Sequence, residues 1–272
     1  MTHDVSAAPR AGLDNLAAAC GAYLRKTFVI VELELRKLRH DPSELLSRAV
    51  QPALWLLVFG QVFGRMRGLG ERYQDFIAPG ILAQSVLFIA IFYGITIIWE
   101  RDLGVVHKFL VSPTARSALV LGKALSAGLR ALSQVAIIYT LLLIVGVRLN
   151  WNPLSILGVL LVTITGAAIF STFSLIIACL VKTRERFMGI GQLMTMPMFF
   201  ASNAIYPIDL MPSWLKVIAH INPLTYQVDA LRGLMLAGGT FKIGLGLDAV
   251  VMLFAAALLI MIGSRLYPTV VI

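Results

Sequence analysis

Few residues of this 272-residue chain have the type and spacing that chemistry needs. The four histidines, His3, His40, His107 and His220, are scattered. They form no HExxH pair for zinc and no pair within an apolar segment for haem. Cys20 and Cys179 fall in an N-terminal tail and at the end of an apolar segment, so neither a disulfide nor a metal site is expected. Gly122-Lys123 comes nearest to a phosphate-binding loop. Ser117 stands where the upstream glycine belongs and Ala124 where the hydroxyl belongs, so no nucleotide site is expected. No apolar segment carries a carboxylate pair near its middle. Asp248, the only acid well within one, sits near an end. What remains is one polar stretch, Glu100 to Lys123, ERDLGVVHKFLVSPTARSALVLGK. Its acid-base-acid opening, Glu100-Arg101-Asp102, is equipped for ion pairing, and Val105, Phe109 and Leu110 add an apolar docking face. The same residues also suit a solvated helix end. The reading adopted is a handle on which a partner protein pushes.

The elements that must position this handle are apolar. The chain is 58% hydrophobic and 14% charged, with mean hydropathy +0.85. Soluble domains carry roughly 25% charged residues, so most of the chain is expected to face lipid or other apolar helices. A bilayer span takes about 20 apolar residues. The segments are apolar throughout rather than alternating, which favours helices over a barrel. The fold class expected is an all-α membrane protein of six transmembrane helices. An N-terminal amphipathic interfacial helix and an outer re-entrant helical hairpin before the last span complete it. Net charge is +9, from 23 Lys and Arg against 14 Asp and Glu. This points to cytoplasmic loops rich in basic residues rather than to nucleic acid.

In chain order, residues 1–19 read as a flexible tail. Leu16-Ala17-Ala18-Ala19-Cys20 resembles a lipid-attachment site, but Arg10 and Asp14 replace the apolar run that should precede it, so lipidation is not expected. Residues 20–42 form the amphipathic helix. Leu24, Phe28, Val31, Leu35 and Leu38 make one stripe, flanked by Arg25, Lys26, Arg36, Lys37 and Arg39, with Glu32 and Arg36 spaced to pair. Such a helix suits the membrane interface, or equally a protein surface. The six-helix domain, 43–272, follows. Spans are expected at about Leu45–Phe63, Phe76–Trp99 (loosened at Pro79-Gly80), Ser112–Val147, Leu154–Val181, Phe187–Ala204 and Ile243–Ser264. Ser112 and Pro113 read as N-cap and first residue of the third span. The outer hairpin, about 205–240, holds a short helix Pro212–His220 and a second helix striped by Leu224, Val228, Leu231 and Met235. Most Lys and Arg fall on the side of both termini, which places the termini in the cytoplasm.

Three stretches, taken together, resemble the permease subunit of type-2 ABC exporters, in the branch of daunorubicin-resistance and Nod-factor export permeases. They are Phe76-Ile77-Ala78-Pro79-Gly80-Ile81; Glu100-Arg101-Asp102 through Ser112-Pro113 to Arg116, Gly122 and Lys123; and Tyr206-Pro207 through Asn222-Pro223-Leu224-Thr225-Tyr226 to Asp229 and Arg232. The likeness covers roughly residues 20–265. It implies a dimer, with a second copy of the permease or a paralogue, served by two ABC ATPase subunits. ATP and Mg would bind those subunits and no cofactor this chain. It implies that the amphipathic helix, with Arg36 and Arg39, and a coupling helix at about 100–110, including His107, touch the ATPases. The substrate path would lie between permeases. A scaffold without transport is the competing class. An ion-coupled carrier is disfavoured by the missing midplane charges.

Other residues carry two readings. Met194, Met198, Phe199 and Phe200 read as substrate wall or as helix packing. Arg130 reads as a charge facing substrate or as snorkelling to headgroups. Asp229 and Arg232 read as a structural i,i+3 pair, and Asp209 as a cap. Tyr206, Trp214 and Asn222 belong to the hairpin. Small residues Ala124, Ala127, Gly128 and Ala131 allow close helix approach. The substrate expected is an amphiphilic drug, lipid or lipid-linked molecule, with a polysaccharide or lipid-linked glycan as the alternative.

Overall fold

The computed structural model describes residues 21–23, 25–29, 31, 32, 36, 50–59, 73–106, 115–181 and 183–268. Among them the chain is helical, and the only β pairing is an isolated bridge between Leu149 and Leu236. A helical segment at 50–54 leads into a π-helical turn Trp55–Phe59. Helices follow as α1 Tyr73–Tyr93, α2 Ile95–Asp102, α3 Arg116–Val145, α4 Pro153–Leu180 and α5 Arg184–Phe200. A 3-10 turn Ile208–Leu210 precedes α6 Ser213–Ile221, α7 Pro223–Met235 and α8 Leu245–Leu266. Four stretches are long and apolar enough to cross a membrane: Tyr73–Asp102, Arg116–Val145, Pro153–Leu180 and Leu245–Leu266.

Local chemistry sets the boundaries. Asn152 and Asn222 accept the N–H of Leu154 and Leu224, and each is followed by a proline whose fixed φ suits the first helical position. Thr183 caps α5 on Arg186 N–H. Gly146, at φ +81°, ends α3, and Val147 N–H returns to the Leu142 carbonyl. The expected start of the third span is corrected. Its helix begins at Arg116 with Ala115 as N-cap, and Ser112 and Pro113 lie outside the described residues. The second span is interrupted at Gly94 rather than at Pro79-Gly80. There the Ser174 hydroxyl of α4 bonds the Ile91 carbonyl, the acceptor that the next helical turn would use. A side chain at Gly94 would overlap Ser174.

The stretches alternate direction. Contacts between Glu100 and Lys123, and between Asp102 and Arg184, define one end of the bundle; the Leu149–Leu236 bridge lies at the other. The pair α3 and α4 packs most extensively, and Gly128 lies where a β-carbon would crowd Ile164. Without a strong hydrophobic drive between helices in lipid, such close approach supplies the packing energy. The short α7 is enclosed by α1, α4 and α8. Its stripe Leu224, Val228, Leu231 and Met235 is fully buried, while α6 shows Trp214, Val217 and Ile221 outward.

Candidate functional site

The polar ends of α2, α3 and α5 meet in one joint. Glu100 points inward with Ile97, one turn earlier on the same face of α2. Its carboxylate accepts from Lys123 Nζ of α3 at 2.6 Å, and both side chains are almost wholly buried, at 8% and 4% exposure. Asp102, half a turn on, faces out and accepts from Arg184 of α5 through Nη2 at 2.8 Å and Nε at 3.2 Å. Arg184 also lies over the Trp99 ring at 5.2 Å. Arg101 bonds Asp102 and reaches the Val181 carbonyl at the end of α4. Beneath these groups an apolar cluster joins Ile97, Ile98 and Val106 to Leu119, Leu175, Phe187 and Tyr267. Val105 is half-buried beside it and Leu103 is 76% exposed.

Glu100 is placed inward, because the helical face that carries Ile97 also carries it, and its carboxylate meets Lys123 within the chain. The outward groups on α2 are Trp99 and Asp102, followed by Leu103 at its C-cap. Lys123, Arg184, Trp99 and Tyr267 belong to the joint although the sequence reading gave them no such part. Lys123 had one signal: it is the one lysine of the apolar helix α3. Arg36 is exposed and bonded to Glu32 at 2.6 Å, as its spacing predicts. Arg39, His107, Phe109 and Leu110 lie outside the described residues.

At the opposite end Asn222 works as a clasp. Its amide nitrogen donates to the Met198 and Ala201 carbonyls at the end of α5 while its oxygen caps α7. The Tyr206 hydroxyl donates to the Phe200 carbonyl, and burial raises its pKa. Asp209 does not cap α6, whose N-cap is Pro212. Its carboxylate accepts from Lys242 at 3.1 Å, and that bond lowers its pKa below the ordinary 3.8. Asp229 and Arg232 take different partners. Asp229 accepts the backbone N–H groups of Lys242 and Ile243. Arg232 donates to the Asn203 carbonyl and stacks on Phe76 at 4.2 Å.

The residues expected on a substrate path divide. Phe199 is buried against Trp55. Met198 and Phe200 line an apolar groove of about 630 Å³ with Tyr206, Trp214 and Ile218. Met194 is half-buried. Arg130 is buried, its guanidinium 5.0 Å from the centre of the Tyr93 ring rather than extended away from the bundle. No group of three or more His, Cys, Asp or Glu side chains gathers for a metal among the described residues.

A bundle of long apolar helices tied by ion pairs at one end and by a capped hairpin at the other is a multi-pass membrane protein. Residues 25–236 match the family described as ABC-2 type transporter, and the chain belongs to that family. Membership implies an ABC ATPase partner. The chain is 30% identical over 219 residues to the transport permease ycf38 of Cyanophora paradoxa, covering 77% of this chain and 74% of the relative. The daunorubicin resistance ABC transporter permease protein DrrB1 of Streptomyces coeruleorubidus is 27% identical over 198 residues, 72% and 70% of the two chains. Nodulation protein J of Rhizobium meliloti (strain 1021) is 26% identical over 213 residues, 76% and 79%.

Proposed function

We propose that this chain is the membrane subunit of an ATP-driven exporter, and that the joint of Glu100, Lys123, Asp102 and Arg184 passes ATPase movement into the bundle. The observation that carries this reading is the fastening of α2 to α3 and α5 at one point. A displacement of the segment after Asp102 would therefore pull three stretches together. Six spans complete the architecture, with the segment around 50–59 and α5 joining the four long stretches, and α6 and α7 as a re-entrant hairpin. Two permeases, identical or paralogous, and two ATPases form the transporter, with both termini in the cytoplasm. ATP and Mg belong to the ATPases. The substrate is an amphiphilic drug, lipid or lipid-linked molecule moved outward, in keeping with relatives named for drug resistance and nodulation.

The test uses Arg101→Ala with Asp102→Ala, because substituting the buried Glu100 would mix folding with coupling. The variant is expected to remain in the membrane and to lose permease-dependent stimulation of the co-purified ATPase. Full stimulation in the variant would sink the coupling role, and failure of any ATPase to co-purify with the native chain would favour a scaffold.

A further inference from the structure

The bundle has two apolar cores, and the boundary between them falls at the break in the second stretch. Ile77, Leu82, Leu87 and Ile91 of α1 belong to the main core, whereas Ile97 and Ile98 of α2 belong to the small cluster under the joint. The same boundary crosses the neighbouring helices. Among the described residues, no large apolar side chain is buried on α3 between Val120 and Ala131, on α4 between Phe170 and Leu175, or on α5 between Phe187 and Phe199. Small and hydroxyl-bearing residues are buried there instead, among them Ala124, Ser126, Ser171, Ser174, Gly191 and Thr195. Interdigitated apolar side chains hold a core in one arrangement, and on these three helices this layer has none buried.

The backbone at the boundary is that of a 3-10 turn. Gly94 has φ −60° and ψ −23°. Its N–H reaches the Ile91 carbonyl at 3.2 Å, and Ile97 N–H reaches the Gly94 carbonyl at 3.1 Å, each three residues back rather than four. Hydroxyls complete the turn. Ser174 of α4 donates to the Ile91 carbonyl, and Thr96 donates to the Tyr93 carbonyl at 2.7 Å. In a continuous α-helix those two carbonyls would take the N–H groups of Ile95 and Ile97. Each carbonyl therefore has a donor in either geometry, and neither is left unmet inside an apolar bundle. The Ser174 hydroxyl also has a second partner available, because a hydroxyl in a helix can bond the carbonyl four residues back. Ser126 does so with Gly122, and Thr195 with Gly191. Two complete sets of hydrogen bonds beside a layer without interlocked side chains make a bistable element.

We infer that the turn at Gly94 interconverts between 3-10 and α geometry, with the Ser174 hydroxyl as the latch of the 3-10 form, and that the exchange shifts α2 and the joint it carries relative to α1. Three residues passing from a rise of about 2.0 Å to about 1.5 Å each shorten the stretch by about 1.5 Å, the size of helix shift found in switching proteins. A side chain at residue 94 would occupy the place of the latch, since a β-carbon there overlaps Ser174. The inference rests on the transporter reading for what drives it: force on the segment after Asp102 selects one geometry of the turn.

The test uses the full chain with Cys20 and Cys179 replaced. Leu103→Cys, at a position 76% exposed at the end of α2, carries a trifluoromethyl label for fluorine NMR. A second protein carries the label through Trp151→Cys, 57% exposed at the opposite end of the bundle. The label at residue 103 is expected to give two resonances. Ser174→Ala, which removes the latch without adding bulk, is expected to raise the ratio of α to 3-10 form about tenfold, the worth of one buried hydrogen bond. Ser174→Thr is expected to restore the native ratio, and the label at residue 151 to stay unchanged throughout. Thr96→Val, at a half-buried position, gives the same reading at smaller size if Ser174→Ala folds poorly. A single resonance in every protein, a ratio unmoved by Ser174→Ala and Thr96→Val, or an equal change at residue 151 overturns the latch. Addition of the co-purified ATPase with a non-hydrolysable ATP analogue separates the two claims. A ratio moved by Ser174→Ala but not by ATPase and nucleotide upholds the latch and overturns its drive. Permease-dependent ATP hydrolysis with a fixed ratio ends this inference and leaves the transporter reading.

Discussion

The Lys123–Glu100 contact sets the behaviour of the joint at the scale of single residues. Two charges at 2.6 Å with under a tenth of either side chain exposed are strongly attracted, yet both have lost their water. Removing one partner of a buried pair costs about 3–5 kcal/mol, while replacing both with apolar side chains is often neutral or stabilising. Glu100→Leu and Lys123→Met are therefore each expected to lower the melting temperature sharply in detergent. The double variant is expected to recover most of the loss. Additive losses in the double variant would show that the two side chains do not act as a pair. The exposed contact of Asp102 with Arg184 belongs to a different class. Solvent screens it, and pairs of that kind contribute about 0–1 kcal/mol. It is suited to being broken and remade, whereas the buried pair is suited to holding.

Among the elements, the fit of α1 against the segment after α5 depends on a missing side chain. A β-carbon at Gly80 would overlap the backbone carbonyl of Ala204, and neither backbone can give way without moving a helix. Gly80→Ala is expected to cost about 1–3 kcal/mol through overpacking and to cut the yield of folded protein. Gly191 of α5 is the control. Its β-carbon would stand 3.4 Å from an Ile91 methyl, an ordinary contact, so Gly191→Ala should be neutral or stabilising by roughly 0.5–1 kcal/mol. Melting curves of the two variants decide the matter, and equal effects would overturn it. The elbow of α6 and α7 shows the same dependence on one residue. Asn222 donates to two carbonyls at the end of α5 and caps α7, so one side chain ties those two helix ends together across the intervening α6.

For the whole molecule, the alternating directions of the long stretches put the joint and the hairpin at opposite ends. If the joint end is cytoplasmic, a cysteine placed at Arg265 in the protein with Cys20 and Cys179 replaced is expected to resist an impermeant thiol reagent in intact cells. One at Trp214 is expected to react, since that side chain is 66% exposed. Reversed labelling would invert the proposed orientation. The membrane class and the approximate ranges of the four long stretches followed from the sequence alone, because a run of apolar residues is read locally and its length is compared with a bilayer. The stripe of α7, Leu224, Val228, Leu231 and Met235, was legible for the same reason: it depends on the spacing of residues along a single helix. Contacts between distant residues were not. Only the tertiary structure turned Glu100 toward Lys123 and broke the second stretch at Gly94 by Ser174. Each of these depends on which faces of separate helices meet, and hydropathy does not encode the rotation of a helix that is apolar on every side.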